Sequence, residues 1–378
     1  MSGFARRAMG VVMLLLVTQG AAAQGTLSTQ GFGYPLGGLS ARAAAVGGAL
    51  AEFDARSSRN PAAVTSQRPG LYLQYDPEFR EVKSGANRDR TVTPRFSGFG
   101  ISFKLGEQGA LGLSTHSFLD RTFTTSVRSG QRLGPDSVSF TETFGSSGAI
   151  NDSRVSIAWN LGSRVSVGGA FHAYTGENRL NLRREFDDSL RYGTLIRDLT
   201  LAYSGHALSA GVIVRPVRWL SAAASIRRGG SLKLRVVDTL RSSADVPDRI
   251  GFAAKLDAIP GVSLIASADR TSWSSLNGLG STLANAQDGW EYSVGADLSG
   301  QRTRTTPWVY SVGYRTRDLP FAAAGSLVTE KSITGGVSVP IAGPRASVDV
   351  AVQRALRDAK LNVTERAWLL SVGFTVRP

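Results

Sequence analysis

The sequence predicts an all-β fold: a transmembrane antiparallel β-barrel of about fourteen strands, with a small N-terminal helical hatch in the lumen. Three observations predict it. The chain opens on an export pattern. From Gly70 onward, segments with period-two alternation recur to the end. The connections between those segments are alternately short and long.

The leader comes first. Arg6 and Arg7 are followed by the apolar run Val11 to Val17, and Ala21-Ala22-Ala23 then stands before Gln24. That order matches a cleaved secretory signal over residues 1–23, and the run is too short to span a bilayer. No later stretch is apolar and long enough for a transmembrane helix. The chain has 0 Cys, which excludes disulfides, thiol chemistry and a lipid-modified cysteine. Its 43 Gly, with abundant Ser, Thr and Val, suit many strands that mix polar and apolar residues at short range.

Residues 24–69 do not alternate. Ser40 to Ala51 is rich in small residues, and Ser40 is placed to cap a short helix. Small residues permit the close packing that a plug inside a barrel requires. Residues 70–378 form the barrel. Its strands are expected at 70–83, 94–105, 109–128, 150–161, 164–178, 196–216, 217–238, 247–258, 261–275, 288–300, 306–318, 328–340, 344–356 and 364–376. In the cleanest, Val348, Val350 and Val352 face lipid while Asp349, Ala351 and Gln353 face inward. The sets Val155/Ile157/Trp159/Leu161, Ile250/Phe252/Ala254/Leu256 and Trp290/Tyr292/Val294 repeat the pattern. Trp159, Trp219, Trp290, Trp308, Tyr310 and Trp368 stand near strand ends on the apolar faces, as aromatic girdles do. Short turns at 106–109, 162–163, 216–217, 258–261, 300–305 and 342–344 are assigned to the periplasm. Longer polar loops are expected outside at 84–93, 129–150, 179–195, 239–246, 274–288, 318–328 and 357–363.

Several short motifs add a resemblance. Leu39 to Ala49, then Asp54 and Asn60-Pro61-Ala62, look like the hatch of the FadL/TodX family of outer-membrane transporters for hydrophobic compounds, with its Asn-Pro-Ala ending. Val246-Pro247-Asp248-Arg249, Thr271-Ser272-Trp273-Ser274, and Val309 to Arg315 followed by Leu319-Pro320 and Glu330 resemble later family elements in the family's order. The chain ends Phe374-Thr-Val-Arg-Pro378, without the terminal aromatic that the barrel-assembly machinery commonly reads in this family. The resemblance implies a passive route for long-chain fatty acids or other hydrophobic compounds. A ligand would pass from the outer loops to a pocket above the hatch, then sideways through a gap near a kinked third strand. Here Ser114, Thr115 and His116 are the residues expected to break that strand. Implied partners are outer-membrane lipid and lipopolysaccharide, a hydrophobic small-molecule ligand and the assembly machinery, for a monomer in the bacterial outer membrane. The alternatives are a barrel of the same superfamily acting as a structural or secretion-associated partner, or a general porin.

The formal charge of +14 rests on scattered Arg rather than a basic cluster, so nucleic-acid binding is not expected. His116, His172 and His206 lack metal-ligand spacing. Inward acids Asp257, Asp269, Glu291, Asp297 and Asp349 are expected to pair with Arg154, Arg249, Lys255 and Arg315 across the lumen. No nucleophile–base pattern is visible along the chain, so no enzyme, cofactor or metal site is expected.

Overall fold

A computed structural model describes residues 27, 33–84, 87–133, 136–279, 285–300, 307–322, 326–358 and 363–378. The leader 1–23 lies outside the described residues. A two-residue strand β1 (Tyr34–Pro35) and helix α1 (Ala41–Ala45) precede the wall, and a 3-10 turn at Pro61–Ser66 leads into it. The wall consists of β2 (Gly70–Tyr75), β3 (Glu78–Ser84), β4 (Asn87–Thr93), β5 (Gly98–Leu105), β6 (Gly109–Asp120), β7 (Phe123–Leu133), β8 (Asp136–Leu161), β9 (Val165–Phe186) and β10 (Leu195–Val217). It continues through β11 (Leu220–Val236), β12 (Thr239–Asp245), β13 (Arg249–Ile259), β14 (Val262–Thr271), β15 (Gly289–Ser299), β16 (Val309–Asp318), β17 (Thr329–Pro340), β18 (Ala346–Asp358) and β19 (Val363–Val376).

Every wall pairing is antiparallel, and β19 pairs with β2 and β3, so the sheet closes on itself. Closure leaves no continuous exposed edge, which is the condition for sheet structure in hydrocarbon. The segments join into fourteen staves, because four staves are each broken in two: β2/β3, β4/β5, β6/β7 and β12/β13. Proline explains three breaks. Pro77, Pro94 and Pro247 stand at the interruptions, and none has an N–H for the ladder. At the fourth, the Asp120 carboxylate accepts from the Thr122 backbone N–H at 3.1 Å, which diverts that donor from the ladder.

The outer face is apolar, as the alternation requires. Val155, Ile157, Leu161, Ile250, Phe252 and Val294 point out, and the six girdle aromatics are between 40% and 50% exposed. Hydrocarbon is the environment for such a face, and a closed barrel built this way is a bacterial outer-membrane architecture. On β18 the assigned register holds: Asp349, Ala351 and Gln353 are buried and Val352 is exposed. Val350→Arg on the lipid side should therefore cost about 2–4 kcal/mol in unfolding from lipid vesicles. A cost near zero would mean the register is off by one residue.

Two expectations are corrected. The polar stretches read as long outer loops are largely strand: β4 covers 87–93, β8 begins at Asp136, β9 runs to Phe186, and β12 covers 239–245. These hairpins alternate, with Val138, Phe140 and Leu180 buried among exposed polar neighbours, so backbone pairing continues beyond the girdle. Second, Ser114, Thr115 and His116 do not interrupt the third stave. They are in register with Gly100, Phe99 and Gly98 on one side and with Arg154, Ser153 and Asp152 on the other. The irregularity comes later, as a bulge between Ser117 and Leu119 and the break at Arg121-Thr122. The hatch fills the lumen beside Ala351. Gly336, which pairs with Ala351, lies against the Ala45 methyl of α1.

Candidate functional site

The site is built on the hatch. Ser40 caps α1 by accepting from the Ala43 N–H at 3.0 Å, and Asn60 caps the 3-10 turn by accepting from the Ala62 N–H at 2.9 Å. Pro61 occupies the first position of that turn, where a missing N–H costs nothing. Between the caps the chain turns tightly on glycines, and its ends are tied to one another. The Asp54 carboxylate accepts from the Ser57 hydroxyl at 3.1 Å and from Arg56 Nε at 3.2 Å, and Ser40 Oγ also donates to it. Burial pushes the Asp54 carboxyl up. Arg56 and Ser40 outweigh that effect and hold it below the usual carboxylate range.

The hatch is fastened to the wall around the barrel. Arg42 donates to Asp297 at 2.9 Å, Arg56 to Asp349 at 2.6 Å, and Arg59 to Glu291 at 3.1 Å, with Asp269 also 3.1 Å away. Glu52 accepts from Ser225 Oγ at 3.1 Å and from Arg249. Arg154 donates to the Ser57 carbonyl at 3.2 Å, and Thr334 to the Ala45 carbonyl at 2.9 Å. Of the inward acids read from the sequence, Asp269, Glu291, Asp297 and Asp349 thus hold the hatch, whereas Asp257 pairs locally with Lys255 at 3.0 Å.

Above the hatch the wall opens. β5 and β6 pair from Gly98/His116 down to Leu105/Gly109. Beyond that level the ladder assigns β4 to β3 and β7 to β8, and among the described residues no ladder joins β4 to β7. β1 sits at this opening. Tyr34 and Pro35 pair with Asp120 and Leu119, on the β6 edge that β5 leaves bare. Gly33, at φ +111°, makes the approach possible, since a Cβ there would lie 2.9 Å from the Asp120 carbonyl carbon.

Tyr34 anchors β1 across the lumen. Its hydroxyl donates to Glu330 at 2.7 Å, and its ring lies 4.4 Å and 4.8 Å from the Arg357 and Arg317 guanidinium carbons. Burial pushes the Tyr34 hydroxyl up, against the pull of Arg317 and Arg357, so it stays a neutral donor. Beneath it Arg357 donates to Glu330 at 2.6 Å and Glu78 at 2.7 Å, and also to Glu365. Along the chain these residues lie far apart, so the cluster could not be read before folding brought them together.

A small cavity, continuous with solvent, lies between the hatch and the outer mouth. Arg59, His116, Asp152, His172, Ser209 and Arg227 line its polar side. Phe118 and Trp273, stacked at 5.4 Å, line its apolar side and belong to a large apolar cluster that fills the mouth. The 3-10 segment Trp273–Leu279 folds into that cluster through buried Leu276 and Leu279. Among the described residues no group of His, Asp or Glu is placed to hold a metal ion.

Of the residues singled out from the sequence, Asn60 packs with Pro61 against Gly211, and Ala62 packs against Gly168. His116 donates through Nε2 to the Arg56 carbonyl at 3.0 Å. Ser114 and Thr115 sit lower on the same stave, with the Thr115 hydroxyl 3.0 Å from Ser153 Oγ.

No protein-family model matches the sequence, and no curated protein matches it. Solved structures do. A FadL homologue from Pseudomonas aeruginosa superposes with a TM-score of 0.60 at 13% identity, over 92% of this chain and 99% of that one. The chain has the fold of the FadL- and TodX-type channels. The Ralstonia pickettii toluene transporter TbuX gives a TM-score of 0.58 at 17% identity, over 90% and 99% of the two chains. The Pseudomonas putida toluene transporter TodX gives 0.55 at 13% identity, over 93% and 100%. TbuX and TodX are toluene transporters, and the likeness of this chain to them is one of fold.

Proposed function

We propose that this chain is a passive, energy-independent outer-membrane channel for hydrophobic compounds, with long-chain fatty acids or aromatic molecules as its ligands. It divides into a leader 1–23, a hatch 24–69 and a barrel 70–378, and it acts as a monomer. The observation that carries this reading is the unladdered wall between β4 and β7, with β1 against its edge. A hydrophobic molecule is held back by the polar polysaccharide layer but partitions into hydrocarbon at about 0.8 kcal/mol per CH₂. A protein that lifts it past the polar layer and releases it sideways needs no energy input. Asn60, Pro61 and Ala62 set the end of the plug, and Ser114, Thr115 and His116 lie just below the opening. The fastened hatch disfavours a general porin, because it fills the lumen that a polar solute would cross.

A second reading has its own support. The mouth is filled by an apolar cluster and the extended hairpins β7–β8 and β9–β10 stand beyond it, which suits a barrel that docks another protein. Uptake separates the two. Cells carrying the intact chain should take up a labelled long-chain fatty acid or alkylbenzene faster than cells without it, with no gain for sugars. No gain for any hydrophobic probe would favour the docking role.

A further inference from the structure

The polar side of the cavity holds an arrangement that transport does not use. Asp152 on β8, His172 on β9 and Ser209 on β10 meet across three neighbouring strands. His172 Nδ1 lies 2.8 Å from one Asp152 oxygen and 3.0 Å from the other, and His172 Nε2 lies 2.8 Å from Ser209 Oγ. A carboxylate only accepts, so Nδ1 carries the ring proton of the neutral imidazole. Nε2 is then the lone pair that accepts from the Ser209 hydroxyl. Tyr174 donates to the second Asp152 oxygen at 3.2 Å and stacks beside the His172 ring, which fixes the base in place. These are the distances and the order of contacts of an activated serine: nucleophile to base, base to orienting carboxylate.

All three residues line the same cavity. Ser209 is directly opposite Arg227 in the β10–β11 ladder, and Arg227 also lines that cavity, so a positive charge stands beside the nucleophile. Phe118 and Trp273 give the cavity an apolar wall. An ester with an apolar acyl or alcohol part matches this mixture of groups.

We propose that Ser209, His172 and Asp152 form a hydrolytic triad inside the barrel that cleaves apolar carboxylic esters reaching the cavity. Ser209 Oγ bonds to the ester carbonyl carbon as its proton passes to His172 Nε2, and the carbonyl electron pair moves onto oxygen beside Arg227. Collapse breaks the bond to the alcohol oxygen, which leaves with the proton from His172. A water then gives a proton to His172 as its oxygen bonds to the acyl carbon. The second collapse frees Ser209 Oγ, which regains that proton, so ester and water become acid and alcohol. Asp152 and Tyr174 act as positioning residues.

The test uses the purified full-length barrel in detergent, with heat-shifted gel mobility as the check on folding. A fluorophosphonate probe should label it, and peptide mapping of the unaltered protein should place the label on Ser209. Ser209→Ala should abolish labelling and the hydrolysis of p-nitrophenyl butyrate. His172→Gln should slow both by about 100-fold or more. Asp152→Asn should slow them and change the pH profile of hydrolysis, which a purely structural role would not do. Absence of label on the intact folded barrel, or a label mapped elsewhere, overturns the proposal. Because hydrolysis is read on purified protein and uptake on cells with non-ester probes, the two readings can fail separately.

Discussion

Replacing Arg357 by alanine should destabilise the barrel by about 3–5 kcal/mol, the cost of leaving buried charges without their partner. Arg357 is fully buried and serves Glu78, Glu330 and Glu365 together. All three carboxylates are themselves fully buried. Arg80, Arg95 and Arg317 contact them, yet none of the three takes Arg357's position between all of them. Removal therefore leaves the three buried carboxylates without the partner they share. Arg357→Lys keeps the charge but loses the planar fork, so its cost should fall between. Urea unfolding from lipid vesicles gives both values. A loss below about 1 kcal/mol for the alanine variant, the range of exposed pairs, would show that the cluster is solvated in the membrane.

Gly313→Val should unseat the hatch without unfolding the wall. The hatch passes the wall at Gly295 and Gly313, where Val46 and Gly47 lie directly on the strands. A Cβ on Gly313 would overlap the Val46 carbonyl carbon and the Gly47 nitrogen. These are backbone atoms and cannot rotate away. Overpacking of this kind costs about 1–3 kcal/mol and sometimes more, and here it can be relieved by moving the hatch rather than the barrel. The variant should keep its heat-shifted mobility, admit protease to 33–66, and leak sugar-sized solutes. Gly106→Val is the control: that glycine stands in a short turn at φ +65° with open space where its Cβ would go, so any effect there is local backbone strain alone. A hatch as protected in Gly313→Val as in the natural chain would contradict the packing.

The wall was legible because membrane strands repeat one rule. Parity along a strand sends apolar residues to lipid, and the inward residues of β18 and the aromatic girdle follow it. The cap residue Ser40 was legible for a local reason, since it bonds within three positions of itself. What depends on ladder register was not. The polar hairpin extensions lack a lipid-facing apolar row, so their alternation is faint and they read as loops. The wall opening arises where Pro94 ends one stave and Asp120 diverts a donor in the next, and its effect shows only when those staves are side by side. Asp152, His172 and Ser209 are 20 and 37 positions apart in sequence. Each shares inward parity on its own strand, and that parity was the available signal. Aligning β8, β9 and β10 as neighbours would have brought the three together.

The most direct test of the account is a lock across the wall opening. The chain has 0 Cys, so a pair placed at Pro35 and Leu119, which are partners in the β1–β6 ladder, would be its one thiol pair. Paired strand positions bring Cα atoms to about 4.5–5.5 Å, within disulfide reach. Uptake of a labelled alkylbenzene is then measured in cells under oxidising conditions and again after reduction. If β1 must leave the edge for ligand to pass sideways, uptake falls to that of cells without the protein when the bond is formed, and returns when it is reduced. Undiminished uptake with the bond fully formed would contradict the lateral route.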